Sequence, residues 1–430
     1  MKVTVRALVG SLLVALATMV LAGCSPYYCQ ATFGSSTCTP SGSGLGGGGG
    51  TGGTGGGGGG SAPAVLAYNI VQTGTVNGIA YTAGTTPALG NITGFTAPTV
   101  PGGDISSELV TAQGSFLYGV FPTTQSLYAW SITPTTGALT AVSGSPYTVA
   151  GVAGIVLDTT GVNLSGFITN PSGTFLFIAD AIDEEILTYQ IGTGGVLTAG
   201  ATVSTAGAVI PWNLAIDGLG KYLYVTTGPE GDGAQVAVYA INASTGALTL
   251  VGSPQALNMW QLQGEPTGQF MIGISGNSPI TTGVIDNHIH VLSIMPSGAT
   301  AGTLSEVAGS PFTTQYSPAN IAFEPNANNG SFLYSFSSAP LSYNPIEGYA
   351  LNASTGALTA LASSPFTGVT DGPWGQFDQS GDYLFVYGNL AGTSPGLTVL
   401  NVATGTGLLT QSVSTLPLAT GGYFAVTDPQ

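Results

Sequence analysis

A short sequence recurs along the chain in a way that indicates a repeat fold. The octapeptide Asn-Ala-Ser-Thr-Gly-Ala-Leu-Thr occurs at 242–249 and again at 352–359, and a near-identical copy runs from 134 to 140. Recurrence of a turn sequence indicates that one supersecondary unit has been copied several times. The repeats therefore constrain the fold strongly. They say little about activity, because catalytic groups need not be copied with the fold.

A second repeat predicts what the copied unit looks like. Six runs resembling Phe-Leu-Tyr each lie two residues after a glycine, and those glycines are 59, 47, 48, 62 and 51 residues apart. Around them, β-branched and aromatic runs alternate with Gly, Asn and Asp, so one repeat reads as four short strands in a meander. With 68 Gly, 26 Pro and only 5% charged residues, the composition also favours strands and tight turns. The spacing fits four-stranded propeller blades.

The two ends of the repeat region complete each other. The chain ends in 423–429, which reads as a first strand and its turn, whereas 64–68 reads as a second strand without a first. We therefore predict an all-β fold, a seven-bladed β-propeller of four-stranded antiparallel blades whose ring is closed by the C-terminal strand entering the N-terminal blade. Closure would remove two sheet edges that could pair with other chains. Strand boundaries in 69–101 are the least regular.

The repeated strands and Ser-Thr-Gly-Ala-Leu-Thr hairpins resemble the seven-bladed propellers of the lactonase and YVTN-repeat type, over 62–430. That resemblance implies lactone hydrolysis in some members, with Arg and His in a Pro-Arg-His-like context on inner strands. The corresponding positions here read Pro211-Trp212-Asn213 and Pro318-Ala319-Asn320. Since Arg and His are absent from both, the sequence argues against a phosphorylated sugar lactone as substrate.

The N-terminal region predicts where the protein is located and not how it folds. Residues 1–23 combine a basic start with an apolar run, as in a signal peptide. Leu-Ala-Gly-Cys resembles the bacterial lipobox, which implies cleavage before Cys24 and lipid on its sulfur. In segment 24–40, Cys29 and Cys38 are expected to form a disulfide, with metal binding as the alternative. The Gly-rich stretch 41–61 predicts a flexible linker.

These features predict a lipid-anchored protein of the bacterial cell envelope, at the outer membrane or cell surface in preference to the inner membrane. After Cys24 the sequence contains 19 acidic residues and a single basic side chain, Lys221. Nucleic acids and anionic lipid headgroups require clustered Lys or Arg. We therefore expect no nucleic acid partner, contact with the membrane only through the lipid anchor, and a monomer.

Two functions remain open on the sequence alone. The first is a binding module for a neutral glycan or a protein partner. Its expected ligand-binding residues line the channel mouth: Trp212, Asn213, Trp260, Gln261, Asn320 and Trp374. Alternatively, Asn213 and Asn320 satisfy backbone groups of the inner strands. The second function is a lactone hydrolase for an uncharged substrate, with Glu108 as base or a bound metal supplying the nucleophile.

The candidate metal ligands form two groups. Asp286, His288 and His290 alternate on one strand, a spacing compatible with a metal, although packed or solvated histidines are the simpler interpretation. A Ca²⁺ site with carboxylates from two neighbouring loops is a further alternative to a solvated acidic rim; its ligands would be Asp180, Asp183, Glu230 and Asp232. We otherwise expect no cofactor. No Ser-His-Asp set stands out, so the sequence does not favour a histidine-activated nucleophile.

Overall fold

The computed structural model describes residues 65–70, 74–101, 108–121, 124–149, 166–181, 183–207, 209–227, 235–275, 287–325, 331–337, 345–367, 374–389, 395–418 and 424–428. In these segments the chain forms strands and turns, with a 3₁₀ turn at Thr193–Gly195. None of them contains a helix that is long and apolar enough to cross a membrane. The predicted signal peptide, Cys24, Cys29, Cys38 and the linker 41–61 lie outside the described residues.

The strands form seven antiparallel sheets, which are the blades of a ring. Blade 1 contains, from the inside outward, β32 (Phe424–Thr427), β1 (Val65–Ile70), β2 (Val76–Thr82) and β3 (Ala88–Asn91). Blade 2 contains β4 (Glu108–Ala112), β5 (Phe116–Phe121), β6 (Ser126–Ile132), β7 (Leu139–Ala141) and β8 (Tyr147–Thr148). Blade 3 contains β9 (Phe167–Thr169), β10 (Phe175–Asp180), β11 (Glu185–Ile191), β12 (Leu197–Ala199) and β13 (Val203–Ser204).

The other four blades repeat this order. Blade 4 contains β14 (Pro211–Ile216), β15 (Tyr222–Thr227), β16 (Gln235–Ile241) and β17 (Leu248–Leu250). Blade 5 contains β18 (Met259–Gly264), β19 (Phe270–Ser275), β20 (His288–Ile294), β21 (Leu304–Glu306) and β22 (Phe312–Thr313). Blade 6 contains β23 (Pro318–Phe323), β24 (Phe332–Ser337), β25 (Ile346–Leu351) and β26 (Leu358–Ala360). Blade 7 contains β27 (Trp374–Phe377), β28 (Tyr383–Asn389), β29 (Pro395–Val402), β30 (Leu409–Gln411) and β31 (Leu416–Pro417).

The predicted closure of the ring is confirmed. The C-terminal strand β32 pairs antiparallel with β1, with Leu66 opposite Thr427 and Asn69 opposite Phe424. The last strand of the chain is therefore the innermost strand of the first blade. Pairing β1 with β32 covers an edge that would otherwise expose unpaired backbone groups.

The apolar core lies between blades. The described residues form seven buried apolar clusters, and each cluster combines side chains from two neighbouring blades. In β10, for example, Phe175 and Phe177 pack toward blade 4, whereas Leu176 and Ile178 pack toward blade 2. Successive side chains of a strand point to opposite faces, so a sheet packed on both faces needs an unbroken apolar run. This explains why the second strands are the most hydrophobic part of each repeat.

The two repeated sequences meet at these interfaces. The repeated hairpin joins the third and fourth strands, and its glycine adopts a positive φ of 70° at Gly246. A Cβ on Gly246 would lie 2.5 Å from the ring of Phe175, which begins the second strand of the preceding blade. At the corresponding position of blade 2, the Gly137 carbonyl accepts a 2.7 Å hydrogen bond from Tyr68 of blade 1. The hairpin therefore connects neighbouring blades as well as reversing the chain.

The Ser-Pro sequences follow the fourth strands and complete the outer edge of three blades. Oγ of Ser145, Ser310 and Ser364 accepts the backbone N–H of Ala129, Val291 and Gly348 respectively, at 2.9–3.0 Å. In blades 2, 3, 5 and 7 a further two-residue strand continues along the same edge. The outer edge is thus short and interrupted, which reduces its capacity to pair with another chain.

Because all blades share one strand order, the ring has two distinct ends. We call the end at which each inner strand begins the upper end, and the end at which the inner strand turns into the second strand the lower end. The second strands finish and the third strands begin at the upper end. Residues near these strand termini are therefore the ones that a ligand entering from above would meet.

Candidate functional site

Three consecutive inner strands carry a β-bulge at the same place, close to the upper end. In blades 4, 5 and 6 the pairing with the second strand shifts around Trp212, Trp260 and Ala319. A bulge inserts one unpaired residue and redirects the neighbouring side chains. The side chains of Trp212 and Trp260 lie outside the described residues. Their predicted role as ligand contacts therefore stays a prediction.

The asparagines that follow two of these bulges connect neighbouring blades. Oδ1 of Asn213 accepts the backbone N–H of Leu262 at 3.3 Å, and Oδ1 of Asn320 accepts that of Gly375 at 3.3 Å. Both side chains are buried, and neither Nδ2 has a hydrogen-bond partner among the described residues. Hydrogen bonding to the backbone, the alternative that the sequence left open, thus accounts for the Oδ1 atom of each asparagine.

The remaining channel residues predicted from the sequence are also enclosed. Gln261 is buried, and its Oε1 has no hydrogen-bond partner among the described residues. Trp374 is buried at the interface between blades 7 and 1, where its ring centroid lies 5.6 Å from that of Phe424. Trp374 therefore contributes to ring closure. Glu108 begins β4 opposite Val120, and its side chain lies outside the described residues.

One of the predicted acidic groups is compact enough for a cation. One carboxylate oxygen each from Asp180, Asp183 and Glu185 lies within 4.8 Å of the others. Desolvation, followed by the charges of Asp180 and Asp183, raises the pKa of Glu185. Oxygen ligands of this kind suit Ca²⁺. Glu230 and Asp232, the expected ligands from the next blade, lie outside the described residues, so a shared site stays a prediction.

Blade 5 contains a chain of side-chain hydrogen bonds that the sequence did not predict. Nε2 of His290 lies 2.7 Å from Oγ of Ser275, and Nδ1 lies 2.5 Å from Oε1 of Glu306. Ser275 ends the second strand, His290 lies on the third and Glu306 ends the fourth. His290 is 13% exposed and Glu306 is 35% exposed. These contacts show His290 bonded to Ser275 and Glu306, whereas its predicted metal-binding partner Asp286 lies outside the described residues.

The carboxylate of Glu306 is fixed from its other side. Its Oε2 accepts the hydroxyl of Ser310, whose Oγ in turn accepts the backbone N–H of Val291 at 3.0 Å. Val291 is adjacent to His290 on the same strand, so the network is tied to the backbone that holds the imidazole. Both oxygens of Glu306 are thus engaged, which orients the carboxylate toward the ring of His290.

The sequence offered a weak signal for this set. Ser275 and His290 are 15 residues apart and His290 and Glu306 are 16 apart, a spacing that matches no local catalytic motif. Only alignment of the blades reveals that the three residues lie on adjacent strands. Such an alignment would place Ser275 at the end of a second strand and Glu306 on the following outer strand.

At the lower end of the ring, buried acidic residues accept hydrogen bonds from the backbone of turns. Oδ1 of Asp217 accepts the backbone N–H of Lys221 at 2.7 Å and of Tyr222 at 2.6 Å, which closes the turn between the first two strands. Burial raises the pKa of Asp217 although these hydrogen bonds oppose the shift. Asp217 thus closes a turn, a common role of Asp side chains.

At the ring closure, the carboxyl groups of Asp378 and Asp428 interact with each other. Burial raises the pKa of Asp428 to about 6, against the effect of hydrogen bonds from the backbone of Gln379 and Ser380. Burial and the charge of Asp428 likewise raise the pKa of Asp378. Asp428 follows β32, and Asp378 follows β27 of the neighbouring blade. The backbone hydrogen bonds from Gln379 and Ser380 to Asp428 therefore join the C-terminal strand to blade 7.

The comparisons with known proteins agree with this architecture. Residues 104–259 match the family model described as lactonase, 7-bladed beta-propeller. A proposed 6-phosphogluconolactonase of Bacteroides fragilis is similar with a TM-score of 0.57 and 16% identity, covering 85% of this chain and 98% of that chain. The periplasmic gluconolactonase of Pseudomonas aeruginosa is similar with a TM-score of 0.53 and 15% identity, covering 84% and 99%.

A second proposed 6-phosphogluconolactonase, from Bacteroides uniformis, has a TM-score of 0.58 and 14% identity, with 84% and 99% covered. No curated protein matches the chain. Identities this low show the fold alone, and the family model matches residues 104–259 of the 430 in the chain. The chain thus forms a seven-bladed β-propeller, and its residues 104–259 are similar to the lactonase propeller family.

Proposed function

We propose that this protein is a hydrolase that opens an uncharged lactone. The match of residues 104–259 to the lactonase propeller family carries the proposal. Of the two functions that the sequence left open, it supports the hydrolase more than the binding module. The similar structures include a periplasmic gluconolactonase of Pseudomonas aeruginosa, which supports the same substrate class.

The charge of the chain argues for a neutral substrate. After Cys24 the sequence contains one basic side chain, Lys221, against 19 acidic residues. Lys221 lies at the lower end, beside the turn closed by Asp217. Phosphate recognition ordinarily uses Arg or Lys in direct contact with the phosphate oxygens. A phosphorylated sugar lactone would instead meet an acidic protein, and repulsion would weaken its binding.

Steady-state hydrolysis of two matched substrates tests this proposal. The purified chain is assayed with glucono-δ-lactone and with its 6-phosphorylated form, and acid release is followed after subtraction of spontaneous hydrolysis. We expect turnover of the neutral lactone with kcat/KM at least about 100-fold above that of the phosphorylated one. Absence of turnover on a panel of neutral lactones would contradict the proposed hydrolase activity and would favour the binding module.

We also propose that the propeller is held at the cell envelope by lipid on Cys24, because residues 1–24 have the order of a lipoprotein signal. Metabolic labelling with a radioactive fatty acid tests the anchor. Label is expected on the wild-type chain and not on Cys24→Ala, whereas equal labelling of both would remove the proposal.

A further inference from the structure

We propose that Ser275 is a nucleophile, activated by His290 and oriented through Glu306, so that blade 5 carries a serine-hydrolase site for uncharged esters. That a lactone is among its substrates rests on the function proposed above. The nucleophile itself rests on independent geometry, and no residue of this set was predicted as catalytic from the sequence.

The hydrogen-bond chain has the order that such a site requires. An ionised carboxylate only accepts hydrogen bonds, so Nδ1 of His290 donates its proton to Glu306 across 2.5 Å. In the neutral imidazole, Nε2 is then the acceptor, and it faces Oγ of Ser275 at 2.7 Å. Ser275 therefore donates to the nitrogen that can remove its proton. These are the roles of nucleophile, base and orienting acid in a Ser-His-Asp or Ser-His-Glu triad.

Comparison of the blades separates this set from the residues that the fold itself needs. The strand pairings align each position of blade 5 with its counterparts in blades 2, 3, 4, 6 and 7. The counterparts of Ser275 are Phe121, Asp180, Thr227, Ser337 and Gly388. The counterparts of His290 are Tyr128, Leu187, Ala237, Glu347 and Thr398.

The fourth strands complete the comparison. The counterparts of Glu306 are Ala141, Ala199, Leu250, Ala360 and Gln411. None of these five blades combines a hydroxyl, an imidazole and a carboxylate at the three positions. Ser310, in contrast, has counterparts in Ser145 and Ser364 that make the same bond to the third strand. A serine equivalent to Ser310 thus recurs in other blades for a structural reason. The five blades compared form without a set equivalent to Ser275, His290 and Glu306.

The set is also reachable from solvent. Ser275 and His290 are partly exposed, and Ser275 ends its strand at the upper end of the ring. A hydrogen-bonded set that served only to fill the interface would be expected in the buried part of the blade, where the neighbouring Ile274, Ile289 and Val291 lie.

The chemistry follows from these positions, with water as the second reactant. Oγ of Ser275 attacks the carbonyl carbon and its proton passes to Nε2 of His290, while the carbonyl electron pair moves onto oxygen. When the carbonyl re-forms, the bond to the ester or ring oxygen breaks and that oxygen takes the proton from His290. Water then attacks the acyl-serine, transfers a proton to His290 and releases the acid, and Oγ recovers its proton.

Covalent labelling with a fluorophosphonate tests the nucleophile without knowledge of the substrate. Serine Oγ displaces fluoride from phosphorus, so the product is a stable adduct on the reacting serine. Mass spectrometry of the labelled wild-type chain is expected to locate the adduct on Ser275. Ser275→Ala should remove it, and His290→Gln should slow labelling by at least about 10³-fold.

Ser337→Ala is the matched control, because Ser337 ends the second strand of blade 6, where Glu347 occupies the position that corresponds to His290. It should label like the wild type. Thermal melting of each variant verifies folding, and the location of the adduct in the wild type requires no variant. Absence of an adduct on Ser275, or equal labelling rates with and without His290, would overturn the proposal.

The same variants separate this inference from the lactonase function. Lactone turnover that survives Ser275→Ala would overturn the nucleophile and leave the lactonase in place. Labelling of Ser275 that depends on His290, in a chain without lactone turnover, would support the nucleophile and remove the lactone as substrate.

Discussion

At the lower end of the ring, Asn170, Asp217 and Glu265 occupy the same position in three successive blades and make the same contacts. Each side-chain oxygen accepts the backbone N–H groups of the fourth and fifth residues after it, at 2.6–3.1 Å. At the upper end, the position of Ser275 holds Asp180 in blade 3 and Thr227 in blade 4, and their contacts differ. The turn position at the lower end thus repeats its polar contacts, whereas the position of Ser275 at the upper end varies them.

This difference separates two origins of a polar residue in a repeat protein. A residue that recurs at the lower end is explained by the turn that every blade must close. A residue that occurs once at the upper end, such as His290, is not needed by the blade, since the other blades fold without it. Chemistry is therefore expected at polar residues that the blades do not repeat.

The largest effect is expected from the carboxylate of blade 5. Glu306→Gln replaces the acceptor facing Nδ1 of His290 with an amide, which can bind the wrong tautomer of the imidazole. Labelling of Ser275 by a fluorophosphonate should slow by about 10³-fold or more, with little change in melting temperature. Glu347→Gln in blade 6, whose carboxylate accepts the N–H groups of Gln315 and Tyr316, should leave labelling unchanged. Equal labelling rates for the wild type and Glu306→Gln would show that Glu306 does not orient His290.

Two adjacent glycines in the hairpin of blade 3 test the repeated part. Gly194 and Gly195 both have positive φ, of 71° and 78°, but only at Gly195 would a Cβ clash, with the ring of Phe116. Gly194→Ala should cost about 1 kcal/mol of unfolding free energy from backbone strain alone. Gly195→Ala should cost about 2–4 kcal/mol, because the blade interface must also open. Denaturant unfolding measures both, and equal costs would show that the hairpin does not connect the blades.

The ring closure should depend on pH through Asp428. Its pKa is raised from 3.8 to about 6 on folding, so its stabilising contribution is complete below about pH 4 and is lost as pH rises through about 6. Between these limits the wild type should lose about 1–3 kcal/mol relative to Asp428→Asn, which does not titrate there. Melting temperatures at pH 4.5 and 7 test the difference, with exposed Asp183→Asn as control. An equal change in melting temperature between pH 4.5 and 7 for the wild type and Asp428→Asn would contradict the prediction.

The smallest effect is expected at the outer edge. Ser145→Ala removes the acceptor of the backbone N–H of Ala129 and should cost about 0.5–1.5 kcal/mol. Ser253→Ala changes the corresponding Ser-Pro sequence in blade 4, where the serine is exposed, and should cost less than about 0.5 kcal/mol. Chemical denaturation compares the two variants. A larger cost at Ser253 would show that the Ser-Pro hydroxyl is not what completes the edge.

The fold was predictable because repetition averages out local ambiguity. One apolar run such as 222–225 fits several structures, but six copies with a preceding glycine fit a blade. The site was not predictable in the same way. Trp374 has an aromatic side chain of the kind that often contacts ligands. Ring closure nevertheless brings Phe424, from the far end of the chain, against its ring. Pairing between β19, β20 and β21 likewise brings together Ser275, His290 and Glu306.

The seven blades, their order and the closure by the last strand were readable from the residues alone, because strand periodicity and turn chemistry are local properties that recur in each copy. Which polar residues meet depends instead on how the strands pair and pack. Contacts between strands depend on register, and a shift of one residue would turn His290 to the other face of its sheet and away from Ser275. That register is fixed by the packing of neighbouring blades, which no single repeat encodes.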